Sequence, residues 1–376
     1  MLCRQASANF YTDTLAEVTP LTQNQTDAVD PSIIQRDELV LITGSNGFIG
    51  CKVVETLLES GYTYLRCFVR PTASLKRLNE VLNRHPGARV EITRGNLLSR
   101  EDCSQAARDV RVMYHLAAGF DKSYASAFMN SVLTTRNLLD AALRQNVLRR
   151  FVNVSSFAVY SGAGLKRGAV LDESCEIETP SYGRYEAYAY AKIKQEELVL
   201  EYSRKTGISY VILRPGAVYG PGKAGITGRV GIDTFGVYLH MGGSKRIPFT
   251  YVDNCASAIV LAGLKPGVDG EIFNVVDDES PRSRKFLRLY KKNVKSFLSI
   301  PVPYPLAYAL CALWEKYSKW SEGQLPPVFN RSRCAAEWKG HRYSNEKLKR
   351  LLGWSPKVGF EEASQNFFKY LRDTAH

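Results

Sequence analysis

No Cys-x-x-Cys occurs in the 376 residues, and the eight cysteines, at positions 3, 51, 67, 103, 175, 255, 311 and 334, lie far apart. Neither a zinc cage nor a dense disulfide framework is indicated, no metal site is expected, and a reducing cytoplasm suits such thiols. No apolar run reaches the roughly 18 to 20 uninterrupted residues that cross a bilayer, and the first 36 residues lack the apolar centre of a signal peptide. The expectation is a cytoplasmic chain that neither spans a membrane nor is exported. Acid is also in short supply: 37 Asp and Glu against 50 Lys and Arg leave +13 at neutral pH. That excess favours anionic partners, whether a phosphorylated cofactor, a membrane surface or nucleic acid, without choosing among them. What the chain does have is 45% hydrophobic and 11% aromatic residues, with Gly and Pro near ordinary usage. It can bury a sizeable core and is neither collagenous nor mostly disordered.

Residues 1–36, a Gln/Thr/Asp/Ala mixture, read as a flexible tail. From Glu38, short Val/Ile/Leu/Phe runs alternate with longer stretches of helical period, the pattern of βαβ units around a parallel sheet. Strands are predicted at Leu39 to Thr43, Tyr64 to Val69, Val90 to Thr93, Val112 to His115, Arg150 to Val154, Tyr210 to Arg214 and Ile272 to Val275. Crossover helices are predicted at Cys51 to Ser60, Arg100 to Arg108, Tyr124 to Asn146, Tyr188 to Thr206 and Cys255 to Leu264. The fold class is α/β, a doubly wound (Rossmann) sheet over residues 37–278. Nine glycines between Gly216 and Gly243 make 216–248 a candidate substrate loop, mobile enough to serve as a lid. Residues 279–376 are expected to form a smaller substrate-binding lobe.

Thr43-Gly44-Ser45-Asn46-Gly47-Phe48-Ile49-Gly50 follows the first strand and opens a helix, the context a dinucleotide loop requires. Gly44 would allow the tight turn, Gly47 the backbone approach to a pyrophosphate, and Gly50 the packing of helix on strand. At the end of the second strand, where a carboxylate would hold an adenosine ribose diol, the chain has Arg70. A guanidinium there can grip a 2'-phosphate, with Ser74 and Lys76 nearby, so NADP(H) is favoured over NAD(H). A solvated arginine on a basic surface is the plainer alternative.

Tyr188-Ala189-Tyr190-Ala191-Lys192 sets a phenol and an ammonium one helical turn apart, so that Lys192 can lower the phenol pKa and let Tyr188 exchange a proton with a substrate oxygen. Tyr190 and Lys194 share the spacing, and periodicity does not separate the two pairs. Upstream, Phe151 to Ser156 is a buried strand ending in hydroxyls, where Ser156 can donate to a reacting oxygen.

With the glycine loop, His115-Leu116-Ala117-Ala118, Val154 to Tyr160, Tyr188-x-x-x-Lys192 and Arg214 to Pro221, the chain resembles the extended short-chain dehydrogenase/reductases, the NAD-dependent epimerase/dehydratase superfamily. The resemblance covers roughly residues 38 to 370. It implies Tyr188 as the acid/base, since the family helix carries a glutamate four residues after its lysine, here Glu196. It further implies that Ser156 orients the substrate oxygen and that Lys192 holds the nicotinamide ribose. Asn96, where the family usually has aspartate, and Leu97 would meet the adenine, Leu116, Ala117 and Ala118 would line the cofactor, and Pro215 would sit by the nicotinamide. Asn46, Phe48 and Ile49 complete the cofactor loop, and Asn130 and Thr134 would be structural.

Departures narrow the reaction. Phe157 and Ala158 stand where the family's dehydratases carry an acidic pair, which disfavours water elimination. Ala217 replaces an asparagine common in nucleotide-sugar epimerases. Tyr251-Val252-Asp253-Asn254, the segment Pro301 to Trp320 and the closing Tyr343 to Pro356 resemble the 3β-hydroxysteroid dehydrogenase-like branch, with Asp253 read as a helix N-cap. The implied function is hydride transfer between nicotinamide and a lipophilic secondary alcohol or ketone. The alternatives are a nucleotide-sugar epimerase with tightly held NAD and a non-catalytic NAD(P)-binding scaffold. The basic stretch Arg282 to Lys295 and the aromatic segment after it could touch a membrane surface peripherally, although apolar residues at helical spacing usually build a lobe core. Charge without a reading module argues against nucleic acid. The resemblance suggests a homodimer through the Tyr124 to Asn146 and Tyr188 to Thr206 helices.

Overall fold

Seven runs rich in β-branched and aromatic residues pair side by side in parallel: β1 (Val40–Thr43), β2 (Tyr64–Val69), β3 (Arg89–Arg94), β4 (Val112–His115), β5 (Arg150–Val154), β6 (Tyr210–Pro215) and β7 (Ile272–Val275). Their order is β3-β2-β1-β4-β5-β6-β7. These are the seven predicted strands, with ends shifted by a residue or so. The computed structural model describes residues 32–119, 123–162, 164–178, 187–234, 236–321 and 329–374.

Period-two alternation sends successive β1 side chains to opposite faces. Val40 and Ile42 join a core with α1 (Phe48–Glu59), while Leu39 and Leu41 join a core with α2 (Arg100–Ala107) and α3 (Thr134–Gln145). The long helix α4 (Ala187–Thr206) adds Val199 to the second core, and α5 (Val252–Leu264) adds Cys255 and Ile259 to the first. A sheet buried on both faces accounts for the nearly continuous apolar strands. The helix predicted from Tyr124 is interrupted by a π-helical turn, Met129–Leu133, between Tyr124–Phe128 and α3.

The end of the expected tail is packed at Ser32 to Arg36: Ile34 is buried, Ile33 donates its N–H to Leu264 O at 2.9 Å, and Tyr62 donates its hydroxyl to Ser32. Residues 1–31 lie outside the described residues. The glycine-rich stretch is more ordered than a loop reading implies. Ala217–Tyr219 pairs with Phe249–Tyr251, and Gly231–Thr234 forms an antiparallel pair with Val237–His240. The C-terminal segment contributes α6 (Ser283–Asn293), α7 (Tyr304–Trp320), α8 (Arg331–Trp338) and α9 (Phe360–Asp373). Phe286, Phe367 and Phe368 from this segment share one aromatic core with Tyr219 and Phe249.

Candidate active site

The reversal of strand order between β1 and β4 opens a crevice at the carboxyl ends of the strands, the usual ligand position in such sheets. Register places Thr43, His115 and Asn153 across neighbouring strands at that edge. The chain leaves β1 through Gly44, whose φ of +71° favours glycine; a Cβ there would stand 3.1 Å from Ala117 N and 3.2 Å from Leu116 C. Close approach is tighter still at Gly50, where a Cβ would come within 2.0 Å of Gly44 O. Gly47 is the N-cap of α1 and carries no side chain to block the helix start. The Cys51 N–H closes onto Gly47 O at 3.0 Å, so the amides of Phe48, Ile49 and Gly50 precede the first intrahelical bond. These donors at the positive end of the helix, under a turn with no Cβ, fit a dinucleotide pyrophosphate.

Leu116, Ala117 and, next along the chain, Ala118 follow β4 beside this turn, as the Gly44 contacts show. Asn46 is drawn toward β2's exit, its Nδ2 donating to Ser74 O at 3.3 Å. Arg70 is exposed at that exit. Asn96 is also exposed, but its Oδ1 already accepts the Leu98 N–H at 3.0 Å, and Leu97 is packed in the core beside α3. Arg77, which no motif singled out, has its guanidinium beside Phe48 at Gly222. The glycine-rich segment therefore reaches the start of α1, and only a three-dimensional contact reveals it.

Ser156 follows β5 in extended conformation and caps the short turn Phe157–Val159, accepting the Ala158 N–H at 3.1 Å. The Ser156 hydroxyl is hydrogen-bonded to Tyr188 on α4; enclosure holds the phenol above its ordinary pKa and this hydrogen bond opposes it. One turn further on, buried Lys192 donates to Val154 O at 2.7 Å and to Gln195 Oε1 at 2.9 Å. Burial brings its pKa down to about 8 against an opposing pull from Glu196. The overlapping pair is separated by packing. Tyr190 meets the Tyr124 ring edge-on, and Lys194 pairs with Glu197 at 2.7 Å, away from β5. Pro215 is buried at the end of β6.

Several polar groups behind these residues escaped sequence reasoning. Gln195 Nε2 donates to Thr135 Oγ1 at 2.8 Å, Thr135 bonds His115 Nε2 at 2.8 Å, and His115 Nδ1 bonds Thr43 Oγ1 at 2.8 Å. A continuous buried chain thus runs from the glycine-loop strand to Lys192. Burial, and secondarily the Lys192 charge, push His115 down to about 3, so it is neutral at physiological pH. Beside it, Arg214 grips Glu196 with both arms, at 3.0 and 2.6 Å, and donates to the Tyr160 hydroxyl at 2.9 Å. This buried pair locks α4 to β6. The Asp253 cap expectation is corrected: Tyr251 occupies the N-cap, and Asp253, in the first turn of α5, pairs with Lys52 at 2.9 Å. A first-turn carboxylate is favourable there for the same dipole reason.

Residues 40–275, from β1 to β7, match the NAD dependent epimerase/dehydratase family. The chain belongs to this family. Like its relatives in the family, it is an NAD-dependent enzyme of the extended short-chain dehydrogenase/reductase type. Sterol-4-alpha-carboxylate 3-dehydrogenase, decarboxylating, of Mus musculus is 25% identical over 351 residues, 88% of this chain and 90% of that protein. The 3-beta-hydroxysteroid dehydrogenase of Mycolicibacterium neoaurum is 25% identical over 362 residues, 92% of this chain and 94% of that protein. Among solved structures, UDP-glucuronic acid 4-epimerase from Bacillus cereus in complex with NAD superposes with a TM-score of 0.66 at 22% identity, covering 89% of this chain and 97% of that one. At such identity the likeness speaks for the family's fold.

Proposed function

We propose that the chain interconverts a secondary alcohol and a ketone on a lipophilic, hydroxysteroid-like substrate. The observation that carries this reading is the Ser156–Tyr188 hydrogen bond with Lys192 one helical turn away. The glycine loop, Leu116 to Ala118, Asn96 and Pro215 would hold NAD(P), and the bound nicotinamide supplies hydride acceptance or donation. Tyr188 takes the proton from the alcohol oxygen during oxidation and returns it during reduction. Ser156 donates a hydrogen bond to the same oxygen and so favours the position in which it faces Tyr188. Lys192 has two donors engaged by Val154 O and Gln195; its third is available for a ribose hydroxyl, and its charge favours the phenolate. Arg70 at the exit of β2 supports NADP(H) over NAD(H).

Two further features support the substrate class. Sterol dehydrogenases align with nearly the whole chain. Beyond the exit of β6 lies a cavity of about 380 Å³ lined by Tyr219, Lys223, Phe249, Phe286 and Phe367. Its aromatic wall offers a surface to an apolar body, while Lys223 and Thr227 make part of the lining polar. The glycine-rich segment 216–248 and the lobe after residue 279 would form this substrate side, in a cytoplasmic homodimer. A second reading, epimerisation of a nucleotide sugar with retained NAD, is favoured by the likeness to NAD-bound UDP-glucuronic acid 4-epimerase. Steady-state turnover separates the two. With 3β-hydroxysterols, added NADP or NAD should be consumed stoichiometrically. Interconversion of UDP-sugars without consumption of added cofactor would replace this reading with the second.

A further inference from the structure

Helix α7 is turned inside out relative to an ordinary lobe helix. Its buried face consists of Ala307, Cys311 and Ser318. Its outward face carries Leu306, Leu310, Leu313, Tyr317 and Trp320, which are 52%, 53%, 62%, 48% and 77% exposed. The spacings of four, three, four and three residues keep these side chains in one stripe along the helix. Just upstream, Leu298 and Ile300 are exposed as well. Scattered exposed leucines are unremarkable, but a continuous stripe of this kind marks a surface that something apolar covers. The apolar residues of Pro301 to Trp320, expected from the sequence to build a lobe core, are instead placed by packing with this stripe outward.

Charge identifies the covering material. Between Arg282 and Trp320 the chain has nine Lys or Arg and a single acid, Glu315, which is engaged by Arg331 at 2.8 Å. Lys292, Lys295, Lys316 and Lys319 are exposed. A second copy laid on this face would bring like charges together, whereas lipid phosphates complement them. Tyr317 and Trp320 are the amphipathic rings that favour the headgroup level. Among the described residues no helix is long and apolar enough to cross a membrane. We propose that α7 lies in the plane of an anionic bilayer surface, its Leu/Tyr/Trp stripe among the upper acyl chains and its lysines at the headgroup phosphates.

Flotation of the full-length protein with vesicles tests this directly. One set is phosphatidylcholine alone, the other contains about one third phosphatidylserine. The protein should float with the anionic vesicles and stay behind with the neutral ones. The Leu310→Glu/Leu313→Glu double variant, altered only at exposed positions, should keep the wild-type melting temperature and bind roughly tenfold more weakly or worse. Lys316→Glu/Lys319→Glu should lose the preference for anionic lipid. Folded wild type that floats with neither set, floats equally with both, or keeps floating in the leucine variant would overturn the proposal. Self-association that the leucine variant abolishes, without vesicle binding, would assign the face to a second copy instead.

Discussion

His115 and Asp277 are buried groups whose titrations pull stability in opposite directions. His115 has its pKa lowered by burial to about 3, so between that value and its unfolded value near 6.5 the unfolded chain binds more protons. Its contribution to stability is therefore lost as pH falls through that window. Asp277 is raised by burial to about 7, although the Tyr251 N–H and Asn254 hydrogen-bond to it. Between its unfolded value near 4 and pH 7 the folded state binds the extra proton, so its contribution is lost as pH rises. Melting temperatures from pH 4 to 7 should consequently fall less steeply toward acid in His115→Gln and more steeply in Asp277→Asn. Lys192, lowered to about 8, follows the same sign as His115 at higher pH. Relative to Lys192→Met, the wild type should therefore gain stability between about pH 8 and 10.5.

At this scale the Tyr188 and Lys192 spacing was readable and the groups packed behind it were not. Tyr188 and Lys192 lie four apart on one helix, a spacing legible in one dimension but shared by Tyr190 and Lys194, and packing is what separates the two pairs. Gln195, Thr135 and His115 sit on three different elements, and nothing but the folded register joins them. The same is true of Arg77, whose meeting with Phe48 depends on where the glycine-rich segment lies.

The elements make their own predictions. A methyl group at Gly50 would overlap the backbone of Gly44, so Gly50→Ala should destabilise by more than about 2 kcal/mol and weaken dinucleotide binding. Calorimetric titration of NAD(P) together with thermal melting checks both. Glu196→Gln leaves the buried Arg214 guanidinium without its charge partner and should cost about 3 to 5 kcal/mol in denaturant unfolding. Arg70→Asp should move the ratio of kcat/KM for NADP and NAD toward NAD by at least about tenfold, since a carboxylate there can hold a ribose diol and repels a 2'-phosphate. Strand positions were legible because burial on both faces forces an apolar run. The extra strands in 216–248 were not, because glycine content reports permitted backbone freedom rather than its use. Helix α7 shows the complementary gap: its periodicity names a face but not what the face meets.

For the whole molecule, the order of motifs along the chain revealed the doubly wound sheet, because parallel strands with right-handed crossovers leave few topologies open. The sharing of one aromatic core between Tyr219, Phe249 and the C-terminal helices was hidden, since it joins residues from separate elements, Tyr219 and Phe249 among them meeting Phe367 from the far end of the chain. That shared core walls the cavity beyond β6. Under the proposed function, the Tyr188 phenol on α4 performs proton transfer beside a bound nicotinamide. Tyr188→Phe checks this role, assayed by initial rate on the alcohol that supports wild-type turnover and by titration of the cofactor. In that variant kcat should fall about 10²- to 10⁴-fold with cofactor affinity essentially unchanged. A folded variant that turns over at the wild-type rate would contradict it.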